Sequence, residues 1–130
     1  MALALLGGLL VEPHVAHAHP TTSFTLCAAY QKHGGACLRN ATYLYGDIVF
    51  LRGEVTPPHS DRRAGVWRRD PHTGSFHRVG TAGISDTGAI RWRWKTHRSD
   101  AVQDAPYRFQ LRIGGHGVGT IAKVWVLVGE

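Results

Sequence analysis

The stretch from Tyr43 to Pro58, YLYGDIVFLRGEVTPP, predicts one strand of a β-sandwich. It opens on a turn signal at Tyr45-Gly46-Asp47 and ends on two prolines, which cannot donate to a sheet ladder. Side chains in a strand point alternately to opposite faces, so the residues in between divide into two rows. The aliphatic row is expected to face a core and the mixed row to face outward. The inward row is Val49, Leu51, Gly53 and Val55, and the outward row is Ile48, Phe50, Arg52 and Glu54.

Short alternating runs and turn signals follow this stretch at intervals of roughly 8–12 residues, the spacing of strands in a sandwich or barrel. No window keeps a helical period. The runs are Ala64–Arg69, Phe76–Ile84, Ala89–Thr96, Pro106–Ile113 and Ile121–Val128. The core residues expected on them are Val66, then Ile90, Trp92 and Trp94, then Tyr107, Phe109, Leu111 and Ile113.

A chain of 130 residues with 43% hydrophobic content fits a single folded domain. Its 16 glycines and 6 prolines are spread between the apolar runs, which favours many turns and an all-β fold. We predict an immunoglobulin-like antiparallel β-sandwich, with a small β-barrel as the alternative. The chain divides into residues 1–18, an N-terminal segment over 19–42, and the sandwich domain over 43–130.

Residues 1–18 have the pattern of a secretory signal peptide. The apolar run from Ala2 to Val11 is shorter than the roughly 20 residues that a membrane helix needs. It is followed by Ala16-His17-Ala18, a small-x-small cleavage pattern. We therefore predict a secreted protein that begins at His19 and has no transmembrane segment. No Lys or Arg precedes the apolar run, which departs from the positively charged start of most signal peptides. The alternative is that the run forms an apolar N-terminal strand.

Export favours a disulfide between the two cysteines, Cys27 and Cys37. Nine residues separate them, and these include the turn signal Lys32-His33-Gly34-Gly35. Disulfides persist in oxidising compartments, and one that closes so short a loop would stabilise the fold by roughly 2–3 kcal/mol.

The chain is basic, with 15 Lys and Arg against 9 Asp and Glu. A basic surface favours anionic partners such as cell-wall polymers, acidic lipids or nucleic acid, without choosing among them. Arg91 and Arg93 alternate with two tryptophans, which indicates a solvated basic face over core Trp side chains. If their strand neighbours the one that carries Arg108 and Arg112, the four arginines would form a stripe able to hold a polyanion.

The order of these motifs resembles the immunoglobulin-like or fibronectin-like sandwich domains of secreted proteins from high-GC Gram-positive bacteria. The residues that carry the resemblance are YGDIVFLRGEVTP from Tyr45, VWRR from Val66, RVGTA after Phe76, SDTGAIRWRW from Ser85, and YRFQLRI from Tyr107. It covers Tyr43 to Val128 and implies a bacterial β-sandwich, but little about activity, because many functions share this fold. The cysteine hairpin is not part of the usual pattern.

The histidine at the predicted mature terminus, His19, is a candidate copper ligand. An N-terminal His can chelate copper through its amine and imidazole, with a second histidine completing the site. No other metal or cofactor site is expected.

The sequence predicts no catalytic residues. The glycine-rich GGHGVG from Gly114 lacks the Lys-Ser/Thr of a phosphate-binding loop, and the adjacent His59, Ser60 and Asp61 diverge too much to form a triad. We therefore expect a secreted, non-catalytic binding or structural module, with an unidentified protein or an anionic cell-wall polymer as its partner and no specific nucleic acid. A copper-binding protein that uses His19, or a secreted protein inhibitor, are the alternatives.

Overall fold

The computed structural model describes residues 22–59, 61–114 and 121–129. These residues form nine strands and a short 3-10 helix at Arg98–Asp100. None of them belongs to a helix long and apolar enough to span a membrane. The strands are β1 Ser23–Ala29, β2 Cys37–Leu38, β3 Asn40–Leu44, β4 Ile48–Thr56, β5 Arg63–Arg69, β6 His77–Gly83, β7 Ala89–Lys95, β8 Tyr107–Arg112 and β9 Ala122–Leu127.

The strands form two sheets that pack face to face. A four-stranded sheet has the order β2-β1-β4-β7, and a five-stranded sheet has the order β3-β9-β8-β5-β6. The described pairings are antiparallel except that of β3 with β9, which is parallel. The prediction of an all-β sandwich is confirmed, and the described strands lie in two sheets rather than in one closed barrel.

The inward row predicted for β4 is confirmed, because Val49, Leu51 and Val55 are 0%, 2% and 1% exposed. The five-stranded sheet meets this row with its own buried residues. Trp92 and Trp94 pack against the core but stay half-buried at its margin. The predicted core residues that are fully buried are Val66, Ile90, Tyr107, Phe109, Leu111 and Ile113.

The N-terminal segment is integral to the sandwich, which corrects the domain boundary predicted at residue 43. β1 pairs with β4 at seven positions, from Ser23 opposite Thr56 to Ala29 opposite Phe50. It lies inside the four-stranded sheet, between β2 and β4. Its alternation also fills the core, because Phe24, Leu26 and Ala28 are buried there.

The predicted disulfide between Cys27 and Cys37 is present, with the two Cα atoms 5.3 Å apart. It joins β1 to the edge strand β2, which form a hairpin. One residue after β2, the chain enters β3 in the other sheet. The disulfide therefore lies just before the point where the chain crosses between sheets.

Two tyrosine hydroxyls donate hydrogen bonds that join separate parts of the sandwich. Tyr43 on β3 donates to the carbonyl oxygen of Ala29 on β1 at 2.7 Å, a hydrogen bond that runs from one sheet to the other. Tyr107, the first residue of β8, donates to the carbonyl oxygen of Asp100 at 2.7 Å and so anchors the connection that arrives from β7.

Candidate anion-binding faces

The four arginines predicted to form one stripe lie on opposite faces of the molecule. Arg91 and Arg93 are on β7 in the four-stranded sheet, whereas Arg108 and Arg112 are on β8 in the five-stranded sheet. All four point away from the core, since they alternate with its buried or half-buried residues. A single stripe required these two strands to be neighbours, and this condition is not met, because β7 and β8 follow each other in the chain without pairing.

The outer surface of the five-stranded sheet, which we call the five-strand face, is strongly basic. None of its five strands contains an Asp or a Glu. The cations on outward positions of these strands are Arg63, Arg69, Arg78, Arg108, Arg112 and Lys123. Of these six, only Arg108 and Arg112 are predicted from the sequence as polyanion-binding residues. The alternation of RAGVWRR could have placed Arg63, Trp67 and Arg69 on one side of a strand, but not beside β8.

Three of these cations lie directly opposite one another on neighbouring strands. Arg69 on β5 is opposite Arg108 on β8, and Arg108 is opposite Lys123 on β9. Directly opposed side chains in an antiparallel pair have Cβ atoms about 4.5–5.5 Å apart, and like charges at that spacing destabilise the sheet. The Arg108 Nε is also buried without a hydrogen-bond partner among the described residues. A bound anion would relieve the repulsion among the three cations.

Beside this row, the five-strand face has a hollow of about 560 Å³ lined by Trp67 and arginines. The Arg112 guanidinium lies 4.1 Å from the centre of the Trp67 ring and 5.7 Å from that of Phe76, and its Nε donates to Gln110 Oε1 at 2.9 Å. A guanidinium held in this way is pre-organised to bind an anion. Gly65 makes room for the indole, because a Cβ at this position would lie 2.9 Å from Trp67 Nε1.

The outer surface of the four-stranded sheet, the four-strand face, carries a second set of cations. Arg52 on β4 is directly opposite Arg91 on β7, and Arg93 is opposite Phe50. Glu54 is the one acidic residue in the four strands of this sheet. Among the described residues, no carboxylate lies within ion-pair distance of these three arginines.

The ion pairs of the described chain gather instead at one end of the sandwich, on the connections β5–β6 and β7–β8. Arg68 pairs with Asp70, and His72 Nε2 lies 3.0 Å from Asp104 Oδ1, which joins the two connections. The ion-paired carboxylates of the described chain thus lie at these connections and not on the sheet faces, both of which keep an excess of positive charge.

The proposed copper ligand His19 lies outside the described residues. Within residues 22–59, 61–114 and 121–129, no group of three or more His, Cys, Asp or Glu side chains could hold a metal ion. The glycine-rich segment that begins at Gly114 also lies outside the described residues from position 115 onward.

No protein-family model matches the chain, and a comparison with curated proteins finds no match.

Proposed function

We propose that this protein is a secreted, non-catalytic binding module of immunoglobulin-like architecture that holds an anionic cell-wall polymer on its five-strand face. The observation that carries the proposal is a face with six outward cations on five strands that contain no Asp or Glu. Charge complementarity of this kind selects a polyanion and speeds its association.

The strand partition supports the immunoglobulin-like part of the proposal. In that architecture, strands A, B and E lie in one sheet and strands C, F and G in the other. Here β1, β4 and β7 lie together and β5, β8 and β9 lie together. The hydrogen bond from the Tyr107 hydroxyl to the Asp100 carbonyl, at the start of β8, has the position and partner of the tyrosine corner of such domains.

The disulfide supports secretion, because disulfides form and persist mainly in oxidising compartments. Secretion and the cleavage site are tested together by N-terminal sequencing of protein recovered from the medium of cells that express the full chain. A sequence that starts at His19 is expected; a protein retained in the cytoplasm with residues 1–18 intact would contradict this part of the proposal.

Direct binding tests the five-strand face. Purified cell-wall polyanion and a neutral glucan of similar length are titrated with the protein at several salt concentrations. The polyanion should bind with an affinity that falls as salt rises, since the contacts are electrostatic and displace counterions. The glucan should not bind.

Paired variants then locate the binding. Arg69→Gln with Arg108→Gln removes two cations from the row and should reduce the slope of log affinity against log salt by about two. Lys95→Gln with Arg98→Gln removes the same charge from exposed positions on β7 and on the connection after it, outside this face, and should leave the slope nearly unchanged. Equal effects of the two pairs would overturn the proposal, and tighter binding of random duplex DNA than of wall polymer at the same salt would overturn the choice of partner.

A further inference from the structure

The four-strand face contains a cleft that the proposed polymer site does not use. The cleft has a volume of about 150 Å³ and lies between the outer sides of β4 and β7 and the loop that joins β1 to β2. The side chains that define it are Lys32, Phe50, Arg52, Arg91 and Arg93.

Three sets of contacts hold the loop that closes this cleft. The disulfide from Cys27 to Cys37 joins its two ends. The Arg52 guanidinium donates to the carbonyl oxygens of Gln31, at 2.9 Å, and of Gly34. Arg91 Nη1 donates to His33 Nδ1 at 2.8 Å. Since these contacts flank Lys32 on both sides, its place at the cleft is built by the fold.

Two cations of the cleft remain available to a ligand. Arg52 and Arg91 have donors committed to the loop, whereas neither Lys32 nor Arg93 forms an ion pair with a carboxylate of the described chain. Glu54 lies beyond Arg52 on β4, on the side away from Phe50. An anion between Lys32 and Arg93 would therefore meet two positive charges and no competing carboxylate.

The base of the cleft is apolar and of limited size. Phe50 is half-buried there and is directly opposite Arg93 across the β4–β7 pair. A volume of about 150 Å³ holds one ring of the size of benzene. The aliphatic stems of Lys32 and of the arginines complete the walls while their charged ends stay at the rim, as such side chains commonly do.

We propose that this cleft binds a small organic anion in which a single six-membered ring carries one phosphate, sulfate or carboxylate group. The ring lies on Phe50, and the anionic group lies between Lys32 and Arg93. This site is on the opposite side of the sandwich from the five-strand face and does not depend on the polymer-binding function.

Three probes test the ligand class: phenyl phosphate, glucose 1-phosphate and inorganic phosphate, each titrated into the folded protein by calorimetry and by two-dimensional NMR. At least one ring phosphate should bind tenfold or more tightly than inorganic phosphate and should shift the resonances of Lys32, Phe50 and Arg93. Tighter phenyl phosphate assigns an aromatic acid as the source, and tighter glucose 1-phosphate assigns a sugar phosphate. Ring phosphates no tighter than inorganic phosphate would overturn the proposal.

Single variants test separately the residues that bind the anionic group and the residue that contacts the ring. Arg93→Gln should lower the affinity for the tighter ring phosphate at least tenfold, and Phe50→Ala should reduce the preference for that probe over inorganic phosphate. Arg98→Gln, the same change at an exposed position of the connection between β7 and β8, is the matched control and should leave both values unchanged. An effect of Arg98→Gln equal to that of Arg93→Gln would reduce the binding to net charge and overturn the site.

Variants of the loop distinguish a binding site built by the loop from a general effect of net charge. Cys27→Ser with Cys37→Ser keeps every cation but removes the disulfide, one of the three sets of contacts on the loop that holds Lys32, so affinity for the ring phosphate should fall severalfold. Lys32→Gln removes the loop's own cation and should lower it at least tenfold, while binding of wall polymer to the five-strand face should not change in the disulfide variant. Full ring-phosphate affinity in both variants, with the fold verified by NMR, would exclude the loop from the site and overturn the proposal.

Discussion

Gly53 lies in the inward row of β4 at a point where a side chain has no room. A Cβ there would lie 2.5 Å from Leu111 Cδ1 of the opposite sheet and 3.0 Å from the backbone oxygen of Thr25. The missing side chain thus lets Leu111 fill the space above β4. The inward row of β4 is continuous in the sequence, but in the core Leu111 from the other sheet occupies the space where a side chain of residue 53 would lie.

We predict that Gly53→Ala destabilises the protein, because overpacking a filled core typically costs 1–3 kcal/mol. Urea unfolding followed by Trp fluorescence measures the change. Gly74→Ala is the matched control, since a Cβ there meets no atom within 4 Å. Equal midpoints for the two variants would contradict this account of the packing.

Leu51, two residues earlier in the same row, is 2% exposed. Leu51→Asp places an unpaired charge in the core and should abolish cooperative unfolding, because burying such a group costs several kcal/mol or more. Circular dichroism melting provides the measurement. Thr56→Asp, at an exposed position of the same strand, should still melt cooperatively; a cooperative melt of Leu51→Asp would mean that the two faces are reversed.

Most buried residues could be predicted from alternation alone, as Leu51 and Phe109 illustrate, because a period of two fixes which side chains share a face. Alternation does not reveal which strands pair. Arg52 and Lys32 were therefore not recognised as site residues, since their proximity to Arg93 depends on the register of β4 with β7 and on the path of a loop.

At the scale of the element, β1 is the segment that the sequence placed wrongly. Its run SFTLCAA is short and lies before the motifs that carry the family resemblance, so the prediction leaves it in the N-terminal segment over 19–42, outside the sandwich domain. In the structure it pairs with β4 along its whole length. A central strand is hard to recognise when its partner lies about 25 residues further along the chain.

The position of β1 predicts different results for two changes. Cys27→Ser with Cys37→Ser should lower the free energy of unfolding by roughly 2–3 kcal/mol and leave the fold intact, since the pairing with β4 remains. A chain that begins at Tyr43 should not fold, because it lacks a central strand and the buried Phe24 and Leu26. Amide dispersion in a proton–nitrogen NMR spectrum distinguishes the cases, and a well-dispersed spectrum of the shortened chain would contradict the assignment.

β3 gives no signal of its own in the sequence that separates it from the neighbouring strands. Its five residues are too few for alternation to be distinctive, and its partner β9 lies more than 80 residues later. Parallel pairing of two short strands leaves no local signal, because no turn connects them. The turn after it, at Gly46, was predicted correctly and has a φ of 95°.

At the scale of the whole molecule, the distribution of charge follows from the topology. A single basic stripe required β7 and β8 to be neighbours in one sheet, as the two strands of a hairpin are. Here the long connection between β7 and β8 carries the chain from one sheet to the other. One basic surface predicted from the sequence thus becomes two, on opposite sides of the core.

Global stability should fall at alkaline pH because of the core tyrosines. Burial raises the pKa of Tyr43 well above its usual value, with smaller contributions from Tyr30 and Asp47, and burial also raises the pKa of Tyr107. An unfolded tyrosine titrates near pH 10, so above about pH 10 the native state holds more protons than the unfolded state. The free energy of unfolding must then decrease as pH rises, by up to about 1.4 kcal/mol per pH unit for each such tyrosine.

Urea midpoints measured between pH 8 and pH 12 test this dependence, with Tyr43→Phe as the comparison. The variant loses the hydrogen bond to Ala29, so it should start less stable, yet its midpoint should fall less steeply above about pH 10. Parallel curves for the variant and the parent would show that Tyr43 does not contribute to the alkaline loss.

The parallel pair of β3 and β9 has a mechanical consequence when it is combined with the disulfide. A pull on the two ends of the chain passes from Cys27 directly to Cys37 without extending the loop between them. It then enters β3 at Asn40 and leaves β9 after Leu127, at opposite ends of the paired segment. The hydrogen bonds between β3 and β9 are therefore loaded together in shear rather than broken one after another.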